Sequence, residues 1–202
     1  MTGKKKQNIT KQNLTKKVLT NSLKKLMTQK PLEKISIREI TEDCGLNRQT
    51  FYYHFSDIYN QLEWLYQQEA IALFAEHKGK KLWQEGLLKF FNYFNENREM
   101  CYCTLKSLGR EHLFRHFYED VYEIFRGTID VLSEGIDMSD EYKEMLTQYY
   151  VFSFGGVIEN WVYGNITQSP EELVEFIDIM LQDQMKGIAL RYGVDFKKNT
   201  DN

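Results

Sequence analysis

Cysteine, proline and long apolar runs are all scarce in this chain. Its three cysteines are an odd number among 202 residues and form no C-x-x-C pair, which argues against a disulfide framework. Free thiols favour a reducing compartment, and we expect a cytoplasmic protein. No apolar stretch is long enough to span a bilayer and no signal-peptide pattern is visible, so we expect no membrane association.

Signatures of strands and of enzymes are missing as well. No alternation of apolar and polar residues persists, and only Pro31 and Pro170 punctuate a nearly continuous helical spacing, so the predicted fold class is all-α. No G-x-S-x-G, phosphate loop, dinucleotide fingerprint or H-E-x-x-H motif occurs, so we expect neither an enzyme nor a bound cofactor. A helical enzyme or a protein-interaction bundle, with no nucleic-acid partner, is one class of protein that this composition allows.

Charge is unevenly distributed along the chain. Residues 1–64 carry ten lysines and two arginines against six acidic residues, a formal charge of +6. The remainder has 14 basic and 23 acidic residues, a formal charge of −9. A basic end joined to an acidic body indicates an anionic partner for the first part only, although a merely solvated run of charges is the alternative.

Helix-start and helix-stop signals divide the N-terminal part. Apolar spacing predicts a first helix over about 10–29. Ser36 and Glu39 match the S-x-x-E capping box, so a second helix should begin at Ile37, and Gly45 should end it. A third and a fourth helix follow.

Asn47 is the expected N-cap of the third helix, and Ser56 the expected N-cap of a long fourth helix over 57–76. The segment "HKGKK" at residues 77–81 is the best candidate for a domain boundary. Further signals predict the later helices. Two or three helices should lie between about 82 and 134, with interruptions near Asn97 and Gly109. One more should run from a Ser139 cap to about Tyr163, and a last one over about 171–191, where Ser169, Pro170 and Glu172 form the start signal.

The segment "GLNRQTFYYHF", residues 45–55, crowds polar and aromatic side chains onto the short third helix. Phe51 and Phe55 are four residues apart and share a face that should be buried. Gln49, Tyr52 and Tyr53 stand together on another side, which should be exposed. One face is thus suited to packing and the other to hydrogen bonding.

Two short helices joined at Gly45 have the shape of a helix-turn-helix, whose second helix enters the major groove of DNA. Arg48 offers a fork that matches the O6 and N7 atoms of guanine, and Gln49 can pair with adenine. Tyrosine hydroxyls and a histidine donate hydrogen bonds to phosphate oxygens. The alternative is an ordinary aromatic helix with its tyrosines in a core.

The stretch "ISIREITEDCGLNRQTFYYHFSD" resembles the DNA-binding domain of the TetR family of bacterial transcriptional regulators. The resemblance covers residues 10–64 and rests on two patterns, I-x-x-I-x-x-x-x-G and T-[aromatic or Leu]-Y-x-H-F. It implies a homodimer on a palindromic operator in double-stranded DNA. The stretch "RQTFYYHFSDIYNQLEWLY" is also similar to a branch that includes regulators of dihydroxyacetone kinase genes.

The resemblance implies a DNA-binding domain followed by a domain for dimerisation and effector binding. Residues 1–9 would be a basic flexible arm, residues 10–56 the helix-turn-helix domain, and residues 57–202 a helical domain for dimerisation and for a small-molecule or protein effector, with the helix over 57–76 connecting the two. Base reading is implied for Arg38, Arg48 and Gln49, and phosphate binding for Thr50, Tyr52, Tyr53 and His54.

The chain departs from the family at the start of the fourth helix. Family members often carry a lysine near this point, where the chain has Asp57 and Ile58. A phosphate contact there would depend on backbone N–H groups and Ser56, so we expect weaker anchoring, offset by the lysines at residues 4–6.

Candidate sites in the acidic part are less defined. An aromatic effector pocket with a few polar groups is one interpretation, and ordinary core packing of the same residues is the alternative. The candidate pocket residues are Phe94, Tyr102, Phe117, Tyr150, Asn160 and Trp161.

Two further patterns in the acidic part have alternatives. Gly155 and Gly156 favour either a close approach of another backbone at a dimer contact or a loop break. His112 and His116 have helical spacing for a metal, but cysteines two apart point to opposite sides of a helix, so we predict no metal site.

Overall fold

The computed structural model describes residues 2–75 and 83–193, and within them the side chains from residue 12 onward except that of residue 74. This part of the chain contains helices and no strand, which confirms the all-α prediction. The α-helices are α1 Thr2–Met27, α2 Ile37–Asp43, α3 Arg48–His54, α4 Ile58–Tyr66, α5 Ala72–Ala75, α6 Trp83–Glu96, α7 Arg98–Leu132, α8 Asp140–Val162 and α9 Pro170–Arg191.

Packing divides the chain into two compact units. The first unit contains the residues up to Gln68 together with Glu99–Gly109, and the second contains Glu69–Arg98 and the residues from Arg110 onward. α4 and the first turns of α7 therefore pack with the helix-turn-helix, although the sequence suggested a boundary after residue 56. The boundary suggested at residues 77–81 lies outside the described residues.

Local signals start and stop α2 and α3 where the sequence predicts. The Ser36 hydroxyl accepts the Glu39 N–H at 3.3 Å and the Glu39 carboxylate accepts the Ser36 N–H at 2.9 Å, which completes the capping box. Gly45, with φ of 68°, takes the left-handed conformation that ends α2. The Asn47 side chain accepts the Thr50 N–H at 2.8 Å and begins α3.

A continuous apolar core holds α3 in the first unit. Leu19 and Leu23 of α1, Ile40 of α2 and Phe51 of α3 are fully buried. The Ser22 hydroxyl of α1 also donates to the Ile40 carbonyl at 3.0 Å, which satisfies both groups inside the core. Truncating a buried phenylalanine typically costs about 3–5 kcal/mol, so the inner face of α3 fixes the direction of its outer face.

Two predicted helix starts in the first unit were wrong. α1 begins at Thr2 instead of about residue 10, so helix extends through most of the predicted arm. The lysines and glutamines there are good helix formers, and no proline interrupts them. The N-cap of α4 is Asp57 instead of Ser56, because the Asp57 carboxylate accepts the Asn60 N–H at 2.8 Å.

The predicted long fourth helix is confirmed as helical backbone from Ile58 to Ala75, with one irregularity. A π-helical turn at Gln67–Ile71 lies between α4 and α5, and the first unit ends within it. Residue 76, the predicted end, lies outside the described residues.

The helices of the second unit follow the predicted signals closely. α6 and α7 are separated at Asn97, and Gly109, with φ of 75° and ψ of 159°, interrupts α7. α8 starts after its Ser139 cap, whose hydroxyl accepts the Tyr142 N–H at 3.2 Å. Ser169 forms the predicted capping box at the start of α9.

Aromatic rings dominate the core of the second unit. Phe91 of α6 meets Trp161 of α8 edge-on with ring centroids 5.3 Å apart. Phe154 of α8 lies 5.5 Å from Phe90 and 5.3 Å from Phe125, again between ring centroids. These pairs join α6, α7 and α8 around one cluster.

The glycine pair lies inside α8, so the loop-break alternative is wrong. A Cβ atom added at Gly155 would meet the Phe114 ring of α7 at 3.4 Å. The space left by this glycine is therefore used, at least in part, by a side chain of the same protein.

Candidate nucleic-acid interface

α3 separates a buried face from an exposed one. The exposed fraction is 0% for Phe51 and 2% for Phe55, but 52% for Tyr52 and 71% for Tyr53. Arg48 and Gln49 in the first turn are also exposed. The helix therefore presents the long polar side chains that the sequence places on one side, backed by a rigid apolar face.

The two candidate arginines are held differently. Arg38 of α2 donates from Nε to the Glu42 carboxylate at 2.7 Å, an exposed ion pair one turn apart. This hydrogen bond and the charge of Glu42 raise the pKa of Arg38 above its ordinary value, so it stays a cation. Arg48 makes no ion pair with any carboxylate among the described residues, so its guanidinium fork is available.

Thr50 is less available than a predicted phosphate donor should be. Its side chain is half-buried, and its hydroxyl donates to the Asn47 side-chain oxygen at 3.0 Å. The backbone N–H of Thr50 is bound to the same oxygen. Thr50 therefore stabilises the start of α3 in this structure, and its phosphate contact stays a prediction.

Tyr53 and His54 form the end of the exposed face near α1. The Tyr53 hydroxyl accepts a hydrogen bond from the Gln12 amide at 3.0 Å, and the two rings of Tyr53 and His54 meet edge-on at 5.0 Å. Burial and then the charge of Lys16 lower the pKa of His54 below 6.5. His54 is therefore a neutral hydrogen-bond donor at pH 7.

Sequence reasoning missed Gln12 and Lys16. Their separation of four residues places them on one face of α1, which is the only signal the sequence contains. Lys16 Nζ lies 5.3 Å from the ring centroid of Phe55 and 5.5 Å from that of Trp64. Neither contact can be inferred without knowing how α1 crosses α3 and α4.

The start of α4 is capped by the Asp57 carboxylate. This carboxylate accepts the Asn60 N–H at 2.8 Å and the Ser56 hydroxyl at 3.1 Å. The Ser56 hydroxyl and one backbone N–H expected to hold a phosphate are therefore bound within the chain, and the negative charge of Asp57 opposes an anion there.

The pocket candidates lie in different parts of the fold. Tyr102 belongs to the first unit, where it is exposed and lies under the Lys106 ammonium at 5.8 Å. Phe94 and Phe117 of the second unit are half-buried. The structure therefore does not place all six candidates in one compact unit.

The polar groups of the remaining candidates are already bound within the second unit. The Trp161 N–H donates to the Gln168 carbonyl at 2.8 Å, and the Tyr150 hydroxyl donates to the Gln184 side chain at 2.5 Å. Asn160 donates to the Gly156 carbonyl at 2.9 Å. These bonds fit the core alternative, and an effector pocket stays a prediction.

The three thiols and the two histidines of α7 disfavour metal and redox chemistry. Burial raises the pKa of Cys44, Cys101 and Cys103, to about 12 for Cys101, so all three disfavour the reactive thiolate. His112 and His116 are exposed. Within residues 2–75 and 83–193, no group of three or more potential ligands could hold a metal ion.

Two family models match the chain. The model described as "Bacterial regulatory proteins, tetR family" matches residues 19–59, which include α2, α3 and the turn between them. The model described as "Transcriptional regulator C-terminal region" matches residues 81–183, half of the chain. The chain belongs to the TetR family of bacterial regulatory proteins. As a member of that family it carries the helix-turn-helix of a transcriptional regulator, and α3 is the second helix of that motif.

Two related proteins carry similar descriptions. A protein of Lactococcus lactis subsp. lactis (strain IL1403), the HTH-type dhaKLM operon transcriptional activator DhaS, is 27% identical over 111 residues. That alignment covers 55% of this chain and 58% of the relative, less than two thirds of its length. A solved structure of the dihydroxyacetone kinase operon activator DhaS has a TM-score of 0.71 at 22% identity, covering 86% of this chain and 97% of that one. The second likeness shows a shared fold.

No helix in the described ranges has the length and apolar character needed to cross a membrane.

Proposed function

We propose that this TetR-family chain acts in the cytoplasm as a homodimer that reads a palindromic operator and answers an effector. α3 of each copy lies in the major groove. Arg38, Arg48 and Gln49 read base edges, while Thr50, Tyr52, Tyr53 and His54 hold phosphates. The observation that supports this assignment is the exposed polar face of α3 over a fully buried Phe51.

A second copy of the chain is the partner that fits the apolar surface of the second unit. Large apolar side chains are exposed along α8 and α9: Met145, Tyr149, Phe152, Phe176, Ile179 and Met180. Several exposed large apolar side chains at helical spacing favour an interaction site on each helix. A symmetric pairing of these two helices would bury the same side chains twice and would join two DNA-binding units in one molecule.

The effector site and the regulated genes belong to the same proposal. The second unit is the larger acidic part of the chain, and its aromatic cluster is the place where a small molecule or a protein would change the packing. Since a relative is named for the dhaKLM operon, the control region of a dihydroxyacetone kinase operon is the first DNA to test. We propose regulation without catalysis.

Selection of bound fragments from random DNA, followed by affinity measurements at several salt concentrations, tests the proposal. We expect an enriched palindrome, and binding that weakens steeply with salt, by about 0.9 logarithmic units per decade of salt for each phosphate neutralised. Weak binding that does not depend on salt, or fragments without a repeated half-site, would contradict it.

A further inference from the structure

The cations of the first unit are not equally available to DNA. Near the C-terminal end of α1, Lys25 pairs with Asp43 at 2.5 Å, which neutralises its charge locally. Lys16, two turns earlier, forms no ion pair with a carboxylate among the described residues. Free positive charge on α1 is therefore found on the part of the helix that lies beside the end of α3.

Gln12 and Lys16 occupy one face of α1 and both reach the end of α3. Gln12 contacts Tyr53 at 3.0 Å, and the Lys16 ammonium lies over the ring of Phe55 at 5.3 Å. The charge of Lys16 also acts on His54. Two residues of α1, the exposed Tyr53 and the half-buried His54 thus border one small area of surface.

The hydrogen bond from Gln12 determines how Tyr53 can be used. A phenol oxygen has one hydrogen to donate and accepts through its lone pairs. Since the Gln12 amide donates to this oxygen, the Tyr53 hydrogen must point elsewhere, and the ring is 71% exposed. Gln12 therefore holds Tyr53 as a donor, which is the role that a phosphate oxygen requires.

Lys16 is positioned to supply the charge that this area otherwise lacks. Its ammonium lies 5.3 Å from the ring centroid of Phe55 and 5.5 Å from that of Trp64, and these cation–π contacts hold the charge beside the end of α3. Burial lowers the pKa of His54, which disfavours its cationic form at pH 7, and the Tyr53 hydroxyl donates as a phenol. A phosphate held here without Lys16 would be bound by uncharged donors alone.

We infer that α1 takes part in DNA binding through a phosphate site in which Gln12 positions Tyr53 and Lys16 provides the cation, beside His54. This inference rests on the proposed mode of DNA binding and adds a helix to it. Gln12 is a positioning residue, and Lys16 is a direct contact to the DNA backbone.

The contribution of Lys16 is measured by the salt dependence of binding to the selected operator. Lys16→Met keeps the apolar stem and removes the charge, so the slope of log affinity against log salt should fall by about 0.9 per half-site. Lys16→Arg should restore the slope. Lys17→Met is the matched control, since it removes an exposed charge from the next residue, and it should leave the slope unchanged.

The role of Gln12 is measured in two backgrounds. Gln12→Ala should weaken binding about two- to ten-fold per half-site in the wild-type chain, and Tyr53→Phe should weaken it similarly. In the Tyr53→Phe background, Gln12→Ala should have no further effect, because its only role is to orient the lost hydroxyl. Base preference should be the same in every variant.

Two results would overturn the inference while leaving the proposed function intact. One is an equal decrease in the slope of log affinity against log salt for Lys16→Met and Lys17→Met. That result would indicate that Lys16 acts only through the overall positive charge of α1 and does not contact a particular phosphate. The other is an equal effect of Gln12→Ala with and without the Tyr53 hydroxyl. Failure of the wild-type chain to bind any DNA with a steep salt dependence would instead contradict the proposed function. Circular dichroism melting curves matching the wild type confirm that the variants fold.

Discussion

At the scale of single residues, the two candidate base-reading arginines face different costs. Arg38 is bound through Nε to Glu42, an exposed ion pair one turn apart that solvent screens and that is easily broken. Arg48 has no pair to break among the described residues and lies in the first turn of α3, the part of a recognition helix that meets base edges. Arg48 is therefore the stronger candidate for direct reading.

Replacing Arg48 with alanine should weaken operator binding by about 1–3 kcal/mol and relax the preference at one base pair of each half-site. The reason is the loss of a bidentate fork that only guanine satisfies fully. Anisotropy titrations with the selected operator and with each single-base variant measure both effects. Arg115→Ala removes an exposed arginine from the second unit and should change neither. An equal loss on operator and random DNA would contradict base reading by Arg48.

Helical periodicity predicted which residues of α3 face outward, because burial of Phe51 and Phe55 leaves Tyr52 and Tyr53 on the other side. The pairing of Tyr53 with Gln12 was beyond it, since those residues are 41 positions apart in the chain. The Asp57 cap at the start of α4 was also missed. The first contact depends on how two helices cross, and the second depends on which of two adjacent residues caps the helix.

At the scale of helices, local capping chemistry explains why so many starts were predictable. Ser36, Asn47, Ser139 and Ser169 each accept the N–H three residues later, as their side chains allow. Ser56 and Asp57 are both good caps, so the sequence could not choose between them. The π turn at residues 67–71 carries no sequence signal, because it depends on how the helix packs.

The start of α2 should make the stability of the first unit depend on acid. Hydrogen bonds from the Lys30 ammonium and from Ser36 lower the pKa of Glu39 from 4.5 to about 2. Because the folded-state pKa is the lower one, the stabilisation is fully present above pH 4.5 and is lost as the pH falls towards 2. Urea unfolding at pH 7 and pH 3 should therefore show a loss that involves Glu39.

Glu39→Gln is the matched variant for this effect, since glutamine also serves at the third position of a capping box but carries no charge. The wild-type chain should lose more stability than the variant between pH 7 and pH 3. Equal losses would show that the carboxylate does not contribute in its ionised form. Other carboxylates titrate in both chains, so only the difference between the chains is informative.

At the scale of the whole chain, the first 64 residues are net basic and the remainder is net acidic. A basic stretch over the first 64 residues attracts DNA and an acidic remainder does not, so the charge pattern favours encounters through the N-terminal part. Such a field does not choose a sequence. In the proposed mode of binding, specificity comes from α3 and from the spacing of two half-sites, which requires a second copy at a fixed distance.

A charge placed on the exposed face of α9 should therefore separate the copies. Phe176 is 60% exposed, so Phe176→Glu should leave the folded chain intact. In a symmetric dimer the change occurs twice and removes about 3–6 kcal/mol of apolar burial, before any cost of burying the new carboxylate. Sedimentation equilibrium should show a dimer dissociation constant raised by at least about 100-fold.

Leu14→Glu makes the same chemical change at a residue of α1 that is 63% exposed, and sedimentation equilibrium should show an undisturbed dimer. Comparing the two variants separates loss of an interface from a general effect of added charge. Since α3 of a monomer still folds, the Phe176→Glu chain should bind a single half-site as tightly as the wild-type chain does. Its affinity for the full palindrome, however, should no longer exceed its affinity for a single half-site. A Phe176→Glu chain that remains dimeric would mean that the copies meet through another surface, and the exposed apolar residues of α8 and α9 would then need a different partner.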